Sequence, residues 1–191
     1  MSDGSRIRLF FALPAEAASE ALRPVHARLA ALPRLLKPVA PGQYHITLKF
    51  LGETDTDACR KLRDDARKLA PPAASQPYAL KGLGAFPNIR RPRVLWCGLD
   101  LDVAALSRLQ GSIEELCAGH GFKREARPFS PHLTLARVRG DATIPGELSR
   151  FFAENSVTIY GESRFDRIVL FKSELRREGP VYTALEEIRL G

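Results

Sequence analysis

Four histidines occur in the 191 residues, His26, His45, His120 and His132, and two of them open the same short pattern: His45-Ile46-Thr47-Leu48 and His132-Leu133-Thr134-Leu135. The chain holds 7 Thr. A given His therefore has Thr two places later with a chance of about 0.04, and two of four doing so is roughly a 1% event before the matching Leu is counted. Strand side chains alternate between faces, so each pattern puts His and Thr on one face and two apolar residues on the other. The Cα atoms of each His and Thr then lie about 6.5–7 Å apart, at roughly 3.3 Å per residue. Histidine gives and takes protons near neutral pH. A threonine hydroxyl is a neutral donor suited to the charged oxygens of a phosphate. Two such units facing one another supply an acid, a base and anion-binding hydroxyls, which is what metal-free in-line cleavage of a phosphodiester requires.

Other chemistries lack their residues. The sequence contains no G-x-x-x-x-G-K-[ST], no G-x-G-x-x-G after a strand, no H-E-x-x-H and no G-x-S-x-G. Cys59, Cys97 and Cys117 are widely spaced and odd in number, so they read as small buried hydrophobes rather than as disulfides or a zinc set. Two His without a carboxylate or Cys at ligand spacing make a poor metal site, and no metal and no cofactor are expected. The net charge is +7. Residues 1–95 carry 16 Lys/Arg against 8 Asp/Glu, a balance of +8, whereas residues 96–191 carry 13 against 14, a balance of −1. That field fits a polyanionic partner, nucleic acid first, with simple solubility as the alternative.

Positioning the two patterns takes an ordered fold. Hydrophobic residues make up 45% of the chain, enough for one sizeable core or two small lobes sharing one. The longest apolar run, residues 9–13, is far short of a membrane span, and the N-terminus has no signal-peptide pattern, so the expected location is the cytoplasm. Residues 6–13 read as a buried strand stopped by Pro14, and 15–32 as a helix kinked or divided at Pro24. A short strand at 35–39 precedes the clearest strand of the first half, 44–51. A helix follows at 54–69, then a Pro71-Pro72 break. Strands are expected at 78–83 and 93–99, a helix at 103–118, and a strand at 131–138 carrying the second pattern. A helix at 144–154 and strands at 157–160, 165–172 and 181–189 complete the chain. Helices mixed with strands on short connections favour an α+β fold with antiparallel sheets over a doubly wound parallel sheet.

Two H-x-T-x motifs 87 residues apart, in His45-Ile-Thr-Leu-Lys-Phe-Leu-Gly52 and Ser130-Pro-His-Leu-Thr-Leu-Ala-Arg137, resemble the 2H phosphoesterase superfamily. More closely, the chain resembles its RNA 2′,3′-cyclic phosphodiesterases, historically called 2′-5′ RNA ligases. Supporting segments are Arg8-Leu-Phe-Phe-Ala-Leu-Pro14, Arg93-Val-Leu-Trp-Cys-Gly98, Leu170-Phe-Lys-Ser-Glu-Leu175 and Gly179-Pro-Val-Tyr182. The resemblance implies one bilobal domain over residues 1–191, with a pseudo-two-fold internal duplication, two antiparallel sheets around a central cleft and helices outside. It implies His45 as proton donor to the leaving oxygen, His132 as the base that activates water, Thr47 and Thr134 on the phosphate oxygens, and Arg137 binding the phosphate. Arg137 lies five residues after His132, so a bulge or a strand end must turn it inward. The implied substrate is RNA with a 2′,3′-cyclic phosphate end or a small cyclic nucleotide, opened to a 2′-phosphate. No membrane partner is implied, and a monomer suffices because both motifs lie in one chain.

Three alternatives stand beside hydrolysis: 2′-5′ ligation of RNA ends, cleavage of 2′-5′ bonds, and a non-catalytic RNA-binding module. Two titrating groups give a mere binder nothing that Lys or Arg would not, which favours an enzyme. Lys49 shares a face with His45 and Thr47 by the period-two count, so it either meets phosphate or is a solvated strand-end lysine. Tyr44, Phe86, Trp96 and Phe129 are candidates for base stacking or for the core. The basic stretches 90–93 and 123–127 are either backbone contacts or solvated surface. His26 and His120 read as surface residues.

Overall fold

Five consecutive apolar residues are too many for a strand with a wet face, and in the computed structural model of the chain residues 9–13 are 0–3% exposed along the middle of β1 (Arg6–Pro14). The structure describes residues 6–69, 75–176 and 179–191. The Pro71-Pro72 break lies outside them. The helix expected after β1 is two helices, α1 (Ala18–Ala21) and α2 (Arg23–Ala30), with Pro24 in the first turn of the second. Proline has no N–H to donate to the preceding turn, so the ladder restarts there.

The short strand β2 (Leu36–Pro38) leads through a 3₁₀ turn at Pro41–Gln43 into β3 (His45–Asp55), which runs four residues further than the expected 44–51. Asp55 ends it by capping α3 (Thr56–Ala66), accepting the Ala58 N–H at 2.8 Å. The hairpin β4 (Gln76–Phe86) and β5 (Val94–Leu101) comes next. Asp102 caps α4 (Val103–Gly119) in the same way, through the Ala105 N–H at 2.9 Å. Then come β6 (Leu133–Val138), α5 (Gly146–Glu154), β7 (Ile159–Phe165), β8 (Arg167–Leu175) and β9 (Pro180–Arg189). All of the strand pairs are antiparallel, in a four-stranded sheet of order β3-β1-β8-β9 and a five-stranded sheet of order β2-β6-β5-β4-β7.

Neither sheet is built from one half of the chain. The first joins β1 and β3 to the last two strands, and the second joins β2 and β4 to β5, β6 and β7. Between β5 and β6 of the second sheet the chain makes α4, which packs on β3 of the first. These exchanges give one buried apolar cluster, in which Leu9 and Phe11 of β1, Leu95 of β5, Leu109 and Ile113 of α4 and Phe165 of β7 all take part. At about 1.5–3 kcal/mol for each large side chain fully buried, that shared cluster holds the sheets in a fixed relation. The strands β3 and β6 touch each other, so the two H-x-T segments lie side by side where the sheets meet. No helix among the described residues is long and apolar enough to cross a membrane.

Candidate active site

His45 is the first residue of β3, and His132 stands one residue ahead of β6, which begins at Leu133 and not at the expected 131. Ile46 and Leu48 are 1% and 3% exposed, and Leu133 and Leu135 are fully buried, which leaves His and Thr on the opposite face in both copies. Each imidazole is fixed by the carbonyl two residues before it. His45 Nδ1 lies 2.7 Å from the Gln43 oxygen and His132 Nδ1 lies 2.8 Å from the Ser130 oxygen. A carbonyl only accepts, so Nδ1 carries the hydrogen in both rings and Nε2 is left for proton transfer.

Both strands then break their alternation at the same place. Between β1 and β3 the register steps from Ala12↔Thr47 to Phe11↔Lys49, so Leu48 is an extra residue. Between β5 and β6 it steps from Trp96↔Thr134 to Leu95↔Ala136, so Leu135 is extra. Each is a β-bulge, three residues after the His, and each reverses the facing of everything beyond it. Arg137 thereby returns to the face of Thr134. Lys49, by contrast, is turned off the face of Thr47 and is 6% exposed, so it is not a solvated strand-end lysine. Its ammonium donates to Glu114 Oε2 of α4 at 2.8 Å and to the Lys123 carbonyl at 2.6 Å. Gln110 completes the patch, donating to Glu114 Oε1 and to the carbonyl of the bulged Leu48.

Two cavities meet at these strands. One, of about 440 Å³, is lined by His45, Lys37, Arg176 and Tyr182. The other, of about 830 Å³, is lined by His132, Phe50, Phe86 and Phe129. Thr47, Thr134 and Arg137 border both, so the five residues singled out by sequence surround one junction. The rings behind the histidines differ. Phe10 and Tyr182 lie 5.1 and 5.4 Å from the His45 ring, and Phe171 stacks on Phe10 at 5.3 Å. His132 meets Phe86 edge-on at 4.9 Å, and Phe86 leans on Trp96 at 5.2 Å. Burial pushes both imidazoles below their usual value near 6.5, against the carbonyl hydrogen bond, which works upward. The charges of His132 and Arg137 lower His45 further, and that of Arg137 lowers His132.

The remaining expectations divide. Tyr44 is core, 2% exposed, and is not among the described residues that line either cavity. Phe86 and Phe129 reach the larger cavity, with Trp96 beneath Phe86. Of the basic stretches, Arg124 and Arg127 line the larger cavity but are tied to Glu115 and Glu125. Arg93 is tied to Asp141. His26 and His120 bond to Tyr44 and Asp65 and line neither cavity. All three cysteines are buried and unpaired, with the thiols of Cys97 and Cys117 pushed up to about 12 by burial. Sequence reading missed Lys37, Phe50 and the ring cluster of Phe10 and Phe171. Setting the two motif copies side by side at the fifth position, Phe50 against Arg137, was the one signal available for any of them.

The LigT-like phosphoesterase model matches this chain twice, over residues 13–96 and 99–182, one H-x-T segment in each. The RNA 2′,3′-cyclic phosphodiesterase of Aeropyrum pernix is 34% identical over 81% of this chain and 86% of its own length. That of Archaeoglobus fulgidus is 31% identical over 94% and 98%. Among solved structures, Escherichia coli LigT complexed with 3′-AMP superposes with a TM-score of 0.75 at 26% identity, covering 97% of this chain and 99% of that one.

Proposed function

The chain belongs to the LigT-like phosphoesterase family, and from that membership we propose that it opens 2′,3′-cyclic phosphate ends of RNA to 2′-phosphomonoesters, with His45 as acid and His132 as base. It is a phosphodiesterase of the kind its relatives are named for. The observation that carries the catalytic reading is the duplicated anchoring of the histidines. Two rings held by the same backbone contact, each with no Nε2 hydrogen bond among the described residues, flank a junction of two hydroxyls and a guanidinium.

The cyclic phosphate sits against Thr47, Thr134 and Arg137, which donate to its non-bridging oxygens. His132 Nε2 takes a proton from a water on the side of the larger cavity, and the water oxygen bonds to phosphorus in line with the 3′-oxygen. The P–O3′ bond breaks, and His45 Nε2, entering protonated, gives its proton to O3′. The product is a 2′-phosphate and a 3′-hydroxyl, and both histidines regain their starting states through solvent. Each proton transfer contributes typically about 10²–10⁴-fold. The threonines and Arg137 add charge stabilisation that grows as negative charge develops.

The test is incubation of EDTA-treated protein with an RNA oligonucleotide ending in a 2′,3′-cyclic phosphate, beside His45→Ala and His132→Ala. Opening to the 2′-phosphate, lost in both variants, is expected. Binding of the RNA without turnover would overturn the catalytic reading in favour of a binding module.

A further inference from the structure

The two cavities differ in what their cations are doing. In the larger, Lys49, Arg124 and Arg127 are each matched to a carboxylate: Glu114, Glu115 and Glu125. The smaller has Lys37, Arg137 and Arg176 on its walls and no Asp or Glu among the described residues that line it. Arg176 reaches Glu174 at 3.3 Å, while Lys37 and Arg137 have no ion pair among the described residues. Lys37 is placed by β2, the extra strand of the five-stranded sheet, whose register sets Lys37 directly across from Arg137. Cross-strand partners share a face, with Cβ atoms about 5 Å apart. The Lys37 ammonium end runs past Gly179, where an added Cβ would lie 3.8 Å from its Cε.

The second cation is set beside the first and lines the smaller cavity alone, whereas Arg137 borders both. The ribose of the terminal nucleotide belongs on this side, because both O2′ and O3′ of the cyclic phosphate are its own atoms and O3′ must meet His45. The next negative charge of an RNA chain is the phosphodiester on the 5′ side of that ribose. We propose that Lys37 binds this phosphodiester, so that the preferred substrate is an RNA chain leaving through the smaller cavity and not a mononucleoside cyclic phosphate. The proposal rests on the assignment of His45 to the leaving-group side. A lysine suits the task, since a mobile point charge accommodates a diester in more than one rotation.

The experiment compares a tetranucleotide with a 2′,3′-cyclic phosphate end and the mononucleoside 2′,3′-cyclic phosphate of the same base, in the wild type and in Lys37→Ala. The reading is the ratio of the two kcat/KM values, in which any loss common to both substrates cancels. Lys37→Ala is expected to lower that ratio about tenfold, chiefly through the KM of the tetranucleotide, as befits one charge-assisted phosphate contact. Lys37→Arg is expected to restore it. The salt dependence of tetranucleotide binding should fall by about 0.7 in log–log slope, the share of one phosphate on a single strand. A dinucleotide joined by an uncharged methylphosphonate should behave as the mononucleoside does. An unchanged ratio in Lys37→Ala would overturn the proposal and leave the catalytic reading standing. If the wild type opens neither substrate, the catalytic reading falls, and binding of a 3′-phosphorylated tetranucleotide decides separately. A Lys37-dependent affinity retains the cation subsite, and an affinity indifferent to Lys37→Ala removes it.

Discussion

The strands that begin at His45 and His132 share a construction and differ in what it delivers. Each anchors its histidine on the carbonyl two residues back, turns a threonine to the cleft and bulges at the third residue after the histidine. The fourth and fifth residues then part company. In the first copy they are Lys49, buried against Glu114, and Phe50, 53% exposed beside the larger cavity. In the second they are Ala136, fully buried, and Arg137 at the junction. The first copy thus spends its cation on holding β3 to α4, and the second sets its cation at the junction of the two cavities. Their neighbours differ in the same sense. β3 is the edge of its sheet, while β6 is covered by β2, which brings Lys37. The duplication places two histidines and two hydroxyls, and the guanidinium beside them comes from one copy alone.

The largest effects should come from the shared part. His45→Ala and His132→Ala are each expected to lose about 10²–10⁴ in kcat. Their pH profiles should separate them. Burial holds both imidazoles below 6.5, and the proposed mechanism requires one protonated and one neutral. The wild-type optimum is therefore expected on the acid side of pH 6.5, with the alkaline limb due to loss of the acid's proton and the acidic limb due to protonation of the base. His45→Ala should abolish the alkaline limb and His132→Ala the acidic one. If both variants lose the same limb, the two copies do not divide the work as proposed.

The unshared positions come next. Arg137→Ala is expected to cost about 10²–10³ in kcat, the scale for removing one donor from a developing anion. Phe50→Ala, at the matching place, should cost less than a tenth of that. Comparable losses at the two positions would mean that the charge asymmetry is not functional. On the stability side, Glu114→Ala strands the buried ammonium of Lys49 and is expected to cost about 3–5 kcal/mol in denaturant unfolding. Ala136, in the place of Lys49, has no polar partner to strand. A change for Glu114→Ala within the error of the unfolding curve would show that the buried pair holds nothing.

Much of this was legible because hydrophobic period and caps are local signals. The alternation around Thr47 and Thr134 and the division of the first helix at Pro24 are both written within a few residues. The bulges at Leu48 and Leu135 were not legible, since an extra residue in a ladder is defined by its partner strand. That is why the period-two count put Lys49 on the wrong face and left the facing of Arg137 open. Lys37 escaped for the same reason: its partner across the ladder is 100 residues away. The exchange of strands between sheets leaves no local mark either, because β4 and β8 are ordinary strands whichever sheet they join.

The smallest expected effect tests how each histidine is backed. Behind His132 the ring of Trp96 packs against Gly84, its cross-strand partner, so closely that an added Cβ would stand 2.2 Å from Trp96 Cζ2. Trp96 supports Phe86, and Phe86 meets the imidazole edge-on. Gly84→Ala must therefore push the indole toward Phe86, at about 1–3 kcal/mol, the usual range for overpacking a tight site. His45 depends on no such gap, because Phe10 and Tyr182 meet it directly. A displaced Phe86 should move His132 alone, so Gly84→Ala is expected to lower the melting temperature modestly and to shift the acidic limb of kcat/KM while the alkaline limb stays in place. A shift of the alkaline limb instead would mean that the sheets pass strain across the junction, and that the two copies are mechanically one site.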